Sequence, residues 1–193
     1  MEIRATHLHC HVDIARPVRL GPGFSLHIPG NGSFVVEPGV DFRSGFRCDI
    51  EGDGRVEIGA GTIFTSNTLI QCSTEVKIGK RCAFGQSTLI VDGYHRYRDP
   101  DQHWMDQGYD LRPIHIGDGA GISDKCTIQA DVGERAMIAS GSVVNRPVPP
   151  YCLAMGAPAR VVRYFGPPER KAEVLALRRR RKRERPTTDA AEQ

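Results

Sequence analysis

The chain reads as an all-β stack of parallel coils, and two observations carry that reading. Val56, Ile58, Gly59, Phe64, Thr68, Leu69 and Ile70 recur twenty residues later as Val76, Ile78, Gly79, Phe84, Thr88, Leu89 and Ile90. Self-similarity at a fixed offset marks stacked structural units rather than a single globular core. Inside the repeat, a large aliphatic or aromatic side chain returns every sixth position. Ile58, Phe64 and Ile70 form one series, followed by Ile78, Phe84 and Ile90, then Ile116, Ile122 and Ile128, then Val132, Ile138 and Val144. A period of six is neither helical nor simply alternating. It fits a triangular coil of three short flats with a turn at each corner.

Each position in the six then has a task. The large residue points to the axis, where its burial contributes roughly 1.5–3 kcal/mol. Four residues later stands a small one: Thr62, Thr68, Cys82, Thr88, Ala120, Cys126, Ala136 and Ser142. These are predicted to point inward at corners where space is tight. Glycine often follows the large residue directly, as at Gly59, Gly79, Gly85, Gly117 and Gly133, and supplies the corner backbone. Neighbouring coils would share parallel-strand hydrogen bonds at about 4.8 Å per layer.

Along the chain, residues 1–27 form an N-terminal segment and the winding runs over 28–150. The steps from Ile28 to Val36, Ile50 to Ile58 and Ile70 to Ile78 span eight residues, which puts two extra at one corner (Gly30–Gly32, Gly52–Gly54, Cys72–Thr74). At the next equivalent corner, between Ile90 and Ile116, the extra becomes a loop over 93–113. A long excursion from a rigid scaffold is where function usually sits. Residues 151–166 read as a closing segment. Residues 167–193 read as a basic tail, with a helical-looking stretch from Glu169 to Leu177 ahead of the run Arg178 to Arg185.

Composition narrows the setting. The 193 residues suit one elongated domain. No apolar run approaches the ~18 residues of a membrane span, and MEIRATHLHC lacks the apolar stretch of a secretory signal. Three of the six cysteines, Cys48, Cys82 and Cys126, fall on inward positions, where they act as small apolar fillers. That usage suits reduced thiols and a cytoplasmic location. Nine basic and five acidic residues lie from Pro167 onward, against a net charge of +3 for the whole chain, so the positive excess belongs to the tail. A solvated end is the reading here, and no nucleic-acid partner is expected. His7, His9 and His11 alternate with Cys10 opposite, a pattern more often an ordinary strand than a zinc site.

Three ordered blocks make the sequence resemble the hexapeptide-repeat acyltransferases, which fold as left-handed parallel β-helices. The first is Asn67-Thr-Leu-Ile, eleven residues before the Ile78-Gly79 step. The second runs from Asp92-Gly-Tyr-His95-Arg-Tyr97-Arg-Asp99-Pro100 through Gln107-Gly108 to Pro113-Ile-His-Ile-Gly-Asp118. The third joins Ile138-Ala-Ser-Gly-Ser-Val-Val144, Val148-Pro-Pro-Tyr151 and Gly156-Ala-Pro-Ala-Arg-Val-Val162. Within the family the likeness is to the maltose, galactoside and polysaccharide O-acetyltransferases. It covers about 34–163, most of the chain.

The resemblance implies an acetyl-CoA-dependent O-acetyltransferase acting on a sugar or polysaccharide precursor, assembled as a homotrimer. It assigns His95 as general base, and an unperturbed imidazole is mostly neutral near pH 7. It implies acceptor contacts at Asn67, with Asp92, Tyr97 and Trp104 as further substrate-side candidates. Met105 would extend the apolar wall, and Asp92, Asp99 or a backbone carbonyl would orient the imidazole. For the CoA arm it implies Ser123 and Ser140, and for the nucleotide end Asn145, Arg146 and Arg160. Guanidinium offers phosphate a fixed fork of donors.

The sequence departs from the family at three places. Gly121-Ile122-Ser123 stands where a tryptophan usually precedes isoleucine, so a roomier acetyl end is expected. Cys72-Ser73 replaces an acidic pair. Ile128 to Val132 spans only four residues, so a corner there must tighten. An amine acceptor or a longer acyl group stays open. A γ-type carbonic anhydrase is a remote alternative, because His95 and His115 are twenty apart with His103 in the loop. A non-catalytic scaffold is the other. No metal is expected.

Overall fold

The computed structural model describes residues 2–5, 9–172, 174 and 176 and shows a parallel β-solenoid with three faces. Strands Glu2–Ala5, Ser25–Ile28, Arg47–Ile50, Leu69–Cys72, Leu89–Val91, Thr127–Ile128 and Val143–Val144 stack in that order as the first face. The second face holds His11–Ile14, Ser33–Val36, Arg55–Ile58, Glu75–Ile78 and Ile114–Ile116. It then narrows to single bridges from Ile116 to Val132 and from Val132 to Val148, which is where the chain tightens after Ile128. The third face runs from Arg19–Leu20 through Asp41–Ser44, Ile63–Ser66, Ala83–Phe84, Gly121–Ile122 and Met137–Ile138 to Cys152–Met155. Arg160–Tyr164 pairs antiparallel with the last of these and ends the stack.

The winding begins ahead of residue 28: Glu2–Ala5, His11–Ile14 and Arg19–Leu20 already form a first coil, paired in parallel to the next. Its Val12, Ile14, Val18 and Leu20 are only partly buried, because this coil has a neighbour on one side alone. One register also differs from the sixfold reading. Ile70 pairs with Cys48, and Ile50 pairs with Cys72. Both Cys48 and Ile50 point inward on a four-residue strand, so the spacing alone did not choose between them. The corner after Ile50 is accordingly two residues longer than after Cys72.

The core is a set of ladders along the axis. Phe42, Phe64 and Phe84 stack face to face on the third face, with centroids 5.2 and 4.7 Å apart. Thr62, Cys82, Ala120 and Ala136 line one corner, and Thr68, Thr88, Cys126 and Ser142 line another, all buried as the small-residue pattern requires. At Gly59 and Gly79 a Cβ would stand 2.6 Å from the carbonyl carbon of Gly79 and 2.7 Å from the amide nitrogen of Asp118, respectively, so coils meet there backbone to backbone.

Two corners carry columns of left-handed residues. Gly39, Gly61, Arg81, Gly119, Arg135 and Tyr151 form one, between the second and third faces. Gly23, Gly45, Asn67, Ser87, Lys125 and Gly141 form the other, between the third and first faces. Within each column the amide of one residue donates to a carbonyl of the coil before, as Asn67 does to Ser44 at 2.8 Å and Arg81 to Ala60 at 2.8 Å. Bonds that pin the corner offset the cost of placing non-glycine residues there.

Carboxylates tie corners across coils in the same way. Glu37 accepts from the Ala60 amide, Asp118 from Lys80, Asp124 from Gln86 and Asp131 from His115, at 2.7–3.0 Å. The tail run from Arg178 to Arg185 lies outside the described residues. The helical-looking stretch begins as a short 3-10 turn at Pro168–Arg170 and continues with helical residues at 171, 172, 174 and 176. Among the described residues no helix is long and apolar enough to cross a membrane.

Candidate active site

At the corner after Leu89–Val91 the chain leaves the solenoid as a two-stranded antiparallel arm, Gly93–His95 against Tyr109–Leu111. Asp92 fixes its root. The carboxylate is buried and accepts the amides of Ser73 at 2.9 Å and Thr74 at 2.6 Å, and the Thr74 hydroxyl at 2.8 Å. It belongs with the corner carboxylates that tie one coil to the next. The structure therefore spends Asp92 on the scaffold rather than on a substrate or on the imidazole. On the far side of the root, the Arg112 amide donates to the Asp92 carbonyl at 2.7 Å.

The tip of the arm is closed by Gln107, whose role the sequence did not single out. Its Oε1 accepts from the Asp99 amide at 3.0 Å, and its Nε2 donates to the carbonyls of Asp99 at 2.9 Å and Gln102 at 2.8 Å. Asp99 caps the Asp101 amide at 3.0 Å and so is engaged within the loop. Arg96 and Asp110 pair at 2.8 Å across the strands. This clasp turns the short helix Trp104–Asp106 back toward His95.

His95 consequently sits between two rings. Trp104 meets it edge to face with centroids 4.7 Å apart, and its cross-strand partner Tyr109 lies 4.2 Å away at 41°. Nδ1 is buried without a hydrogen-bond partner among the described residues. Tyr109 was missed by sequence reasoning, and the cross-strand register that selects it is legible only once the arm is known. On the same arm Tyr94, Tyr97, Trp104, Met105, Tyr109 and Leu111 are all exposed, a concentration of apolar surface.

The remaining candidates divide between two corners. Asn145 and Arg146 follow Val143–Val144 on the same corner as the arm, and both are exposed. Asn67, Ser123 and Ser140 lie on the corner between the third and first faces. There the Ser123 amide is spent on the Ile138 carbonyl at 2.9 Å, and Asn67 has its left-handed φ of 56° with its side chain over Gly45. Arg160 opens the terminal strand beyond that corner, exposed, with Nη1 on the carbonyl of Ala159 at 2.9 Å. A four-residue strand separates the two corners, roughly 13 Å at the usual rise.

Three further positions are decided by the geometry. The Cys72 thiol, just beneath the arm, is pushed up to about 12 by burial, reinforced by the charge of Asp92. It stays protonated near neutral pH and offers no thiolate nucleophile. The room expected at Gly121 is taken by Met137: a Cβ on that glycine would stand 2.5 Å from the thioether sulfur. His115, the second histidine of the metalloenzyme alternative, bonds Glu75 at 2.6 Å on the second face. No group of three metal-ligating side chains occurs among the described residues.

No family model matches the chain. A Mycobacterium tuberculosis protein named a probable acetyltransferase is 27% identical over 113 residues, 58% of this chain and 38% of that protein. The galactoside O-acetyltransferase of Escherichia coli is 26% identical over 151 residues, 76% of this chain and 58% of the enzyme. Thus the chain spans less than two thirds of the length of these curated relatives. Among solved structures, a hexapeptide-repeat acetyltransferase of Vibrio cholerae, complexed with acetyl-CoA, superposes with a TM-score of 0.57 at 26% identity, covering 76% of this chain and 73% of that one. In sequence and in fold, the chain is similar to acetyltransferases, a hexapeptide-repeat acetyltransferase among them.

Proposed function

We propose that the chain is an acetyl-CoA-dependent O-acetyltransferase that acetylates a hydroxyl of a sugar or polysaccharide precursor, with His95 as general base. One observation carries the reading: the imidazole is held on the long corner arm, at the position where the family likeness puts the base. The relation to a galactoside O-acetyltransferase supports the sugar acceptor, and the acetyl-CoA complex of the Vibrio neighbour supports the donor.

In this reading Nε2 is the working nitrogen, since Nδ1 is buried. Nε2 takes the proton of the acceptor hydroxyl as its oxygen attacks the thioester carbonyl carbon. The tetrahedral intermediate collapses, the carbon–sulfur bond breaks, and the departing thiolate takes the proton back from the imidazolium. Tyr97, Trp104 and Met105 offer the apolar surface on which the C–H face of a sugar ring packs, and Asn67 supplies an amide for its hydroxyls. Ser123 and Ser140 serve the pantetheine arm, while Asn145, Arg146 and Arg160 serve the nucleotide end. These groups occupy two corners of one chain, so a complete site requires one corner from each of two copies. That requirement favours a closed homotrimer, a natural packing for a three-faced rod.

The test is a thiol-release screen with acetyl-CoA across mono- and disaccharides, amino sugars and nucleotide sugars, with product masses measured. Acetyl ester on a saccharide hydroxyl is the expected product. Acetyl amide on amino sugars alone would replace the O-acetyl reading, and no transfer to any acceptor would reject it.

A further inference from the structure

Imidazoles that act as bases usually have the second ring nitrogen fixed by a carboxylate or carbonyl. Here neither nearby aspartate does this: Asp92 serves the corner below and Asp99 the loop turn. The arm bearing His95 is a two-stranded hairpin outside the solenoid core, and an isolated pair of strands is only marginally rigid. Its side chain would lack a fixed orientation but for two rings. Tyr109 is the direct cross-strand neighbour, 4.2 Å between centroids, and Trp104 closes the other side at 4.7 Å and 89°.

We infer that Trp104 and Tyr109 are positioning residues: an aromatic clamp, in place of a carboxylate, holds the His95 imidazole in its working orientation. The inference rests on the function proposed above. The clamp has its own support. The Gln107 clasp fixes the loop behind Trp104, and the His103 Nδ1 accepts the Met105 amide at 3.3 Å, capping the turn that presents the indole. Edge-to-face contact constrains the tilt of a ring more strongly than loose apolar packing does. A base displaced by about 1 Å loses on the order of 10²-fold in rate, so the clamp acts on kcat. A surface that merely bound the acceptor would act on KM.

The experiment compares wild type with Trp104→Phe, Trp104→Ala, Tyr109→Phe and Tyr109→Ala. Steady-state kinetics are read beside the carbon-bound proton resonances of the His95 ring, assigned with His95→Gln. Expected are His95 resonances displaced by ring currents in wild type and largely kept in both Phe variants. They should relax toward free-histidine positions in both Ala variants. In parallel, the Ala variants should lose about 10²-fold in kcat, with KM for acetyl-CoA little changed, and the Phe variants should recover most of it. Undisplaced resonances in wild type would overturn the clamp whether or not turnover is found. So would Ala variants that keep kcat and raise only the acceptor KM. If the resonances behave as expected but wild type turns over no acceptor, the clamp stands and the proposed reaction falls.

Discussion

Asp92 and His95 are three positions apart in sequence and do different kinds of work. The aspartate is buried with four hydrogen bonds from Ser73 and Thr74, so its charge is satisfied by the scaffold. Replacing it with alanine leaves two amides and a hydroxyl unanswered at the root of the arm. Asp92→Ala is expected to cost roughly 2–3 kcal/mol, measurable as a lower urea midpoint, and to loosen His95 with it. An unchanged midpoint would mean that the root is held by something else. From the sequence, this aspartate was indistinguishable from an imidazole-orienting one, because both tasks need a carboxylate beside the loop. Only the register of the coil below decides. His95 was legible from its place in the loop block, and Tyr109 was not, since its contact depends on a hairpin register that no repeat encodes.

The third-face ladder stacks large aromatic side chains along the axis. Phe64 stacks between Phe42 and Phe84 and is completely buried. Phe64→Ala is expected to cost about 3–5 kcal/mol in chemical denaturation, and a loss under 1 kcal/mol would show that the coils repack freely. This ladder was visible in advance as the sixfold series, because a side chain that must fill the axis cannot be varied at will. The arm was invisible as structure for the opposite reason: few of its side chains meet the core. On the second face, the hydrogen bond from His115 holds Glu75 below its ordinary value of 4.5, helped by the neighbouring cations. A carboxyl depressed in the folded state adds stability above its unfolded pKa and loses it as pH falls through the folded one. Denaturation midpoints should therefore decline on acidification below about 4.5, and Glu75→Gln should flatten part of that decline. Equal slopes for the two proteins would remove Glu75 from the account.

At the scale of the molecule, the solenoid separates the candidate residues by a full face. Asn67, Ser123 and Ser140 cannot reach His95 within one rigid rod, whereas a neighbouring copy can present one corner to the other. Light scattering is expected to give the mass of a trimer of 21.3 kDa chains, and a monomer at working concentration would leave the two halves of the site apart. The repeat announced the rod itself, but the sequence is silent on which corners meet, because that depends on surfaces outside the period.

The central claim is that His95 takes the acceptor proton in acetyl transfer, and one comparison addresses it directly. Wild type and His95→Ala are given acetyl-CoA and the best saccharide acceptor, and acetylated product is counted by mass while CoA binding and folding are checked in parallel. A fall of ~10²–10⁴-fold with binding and fold intact is the predicted result. Near-full turnover by His95→Ala would contradict it.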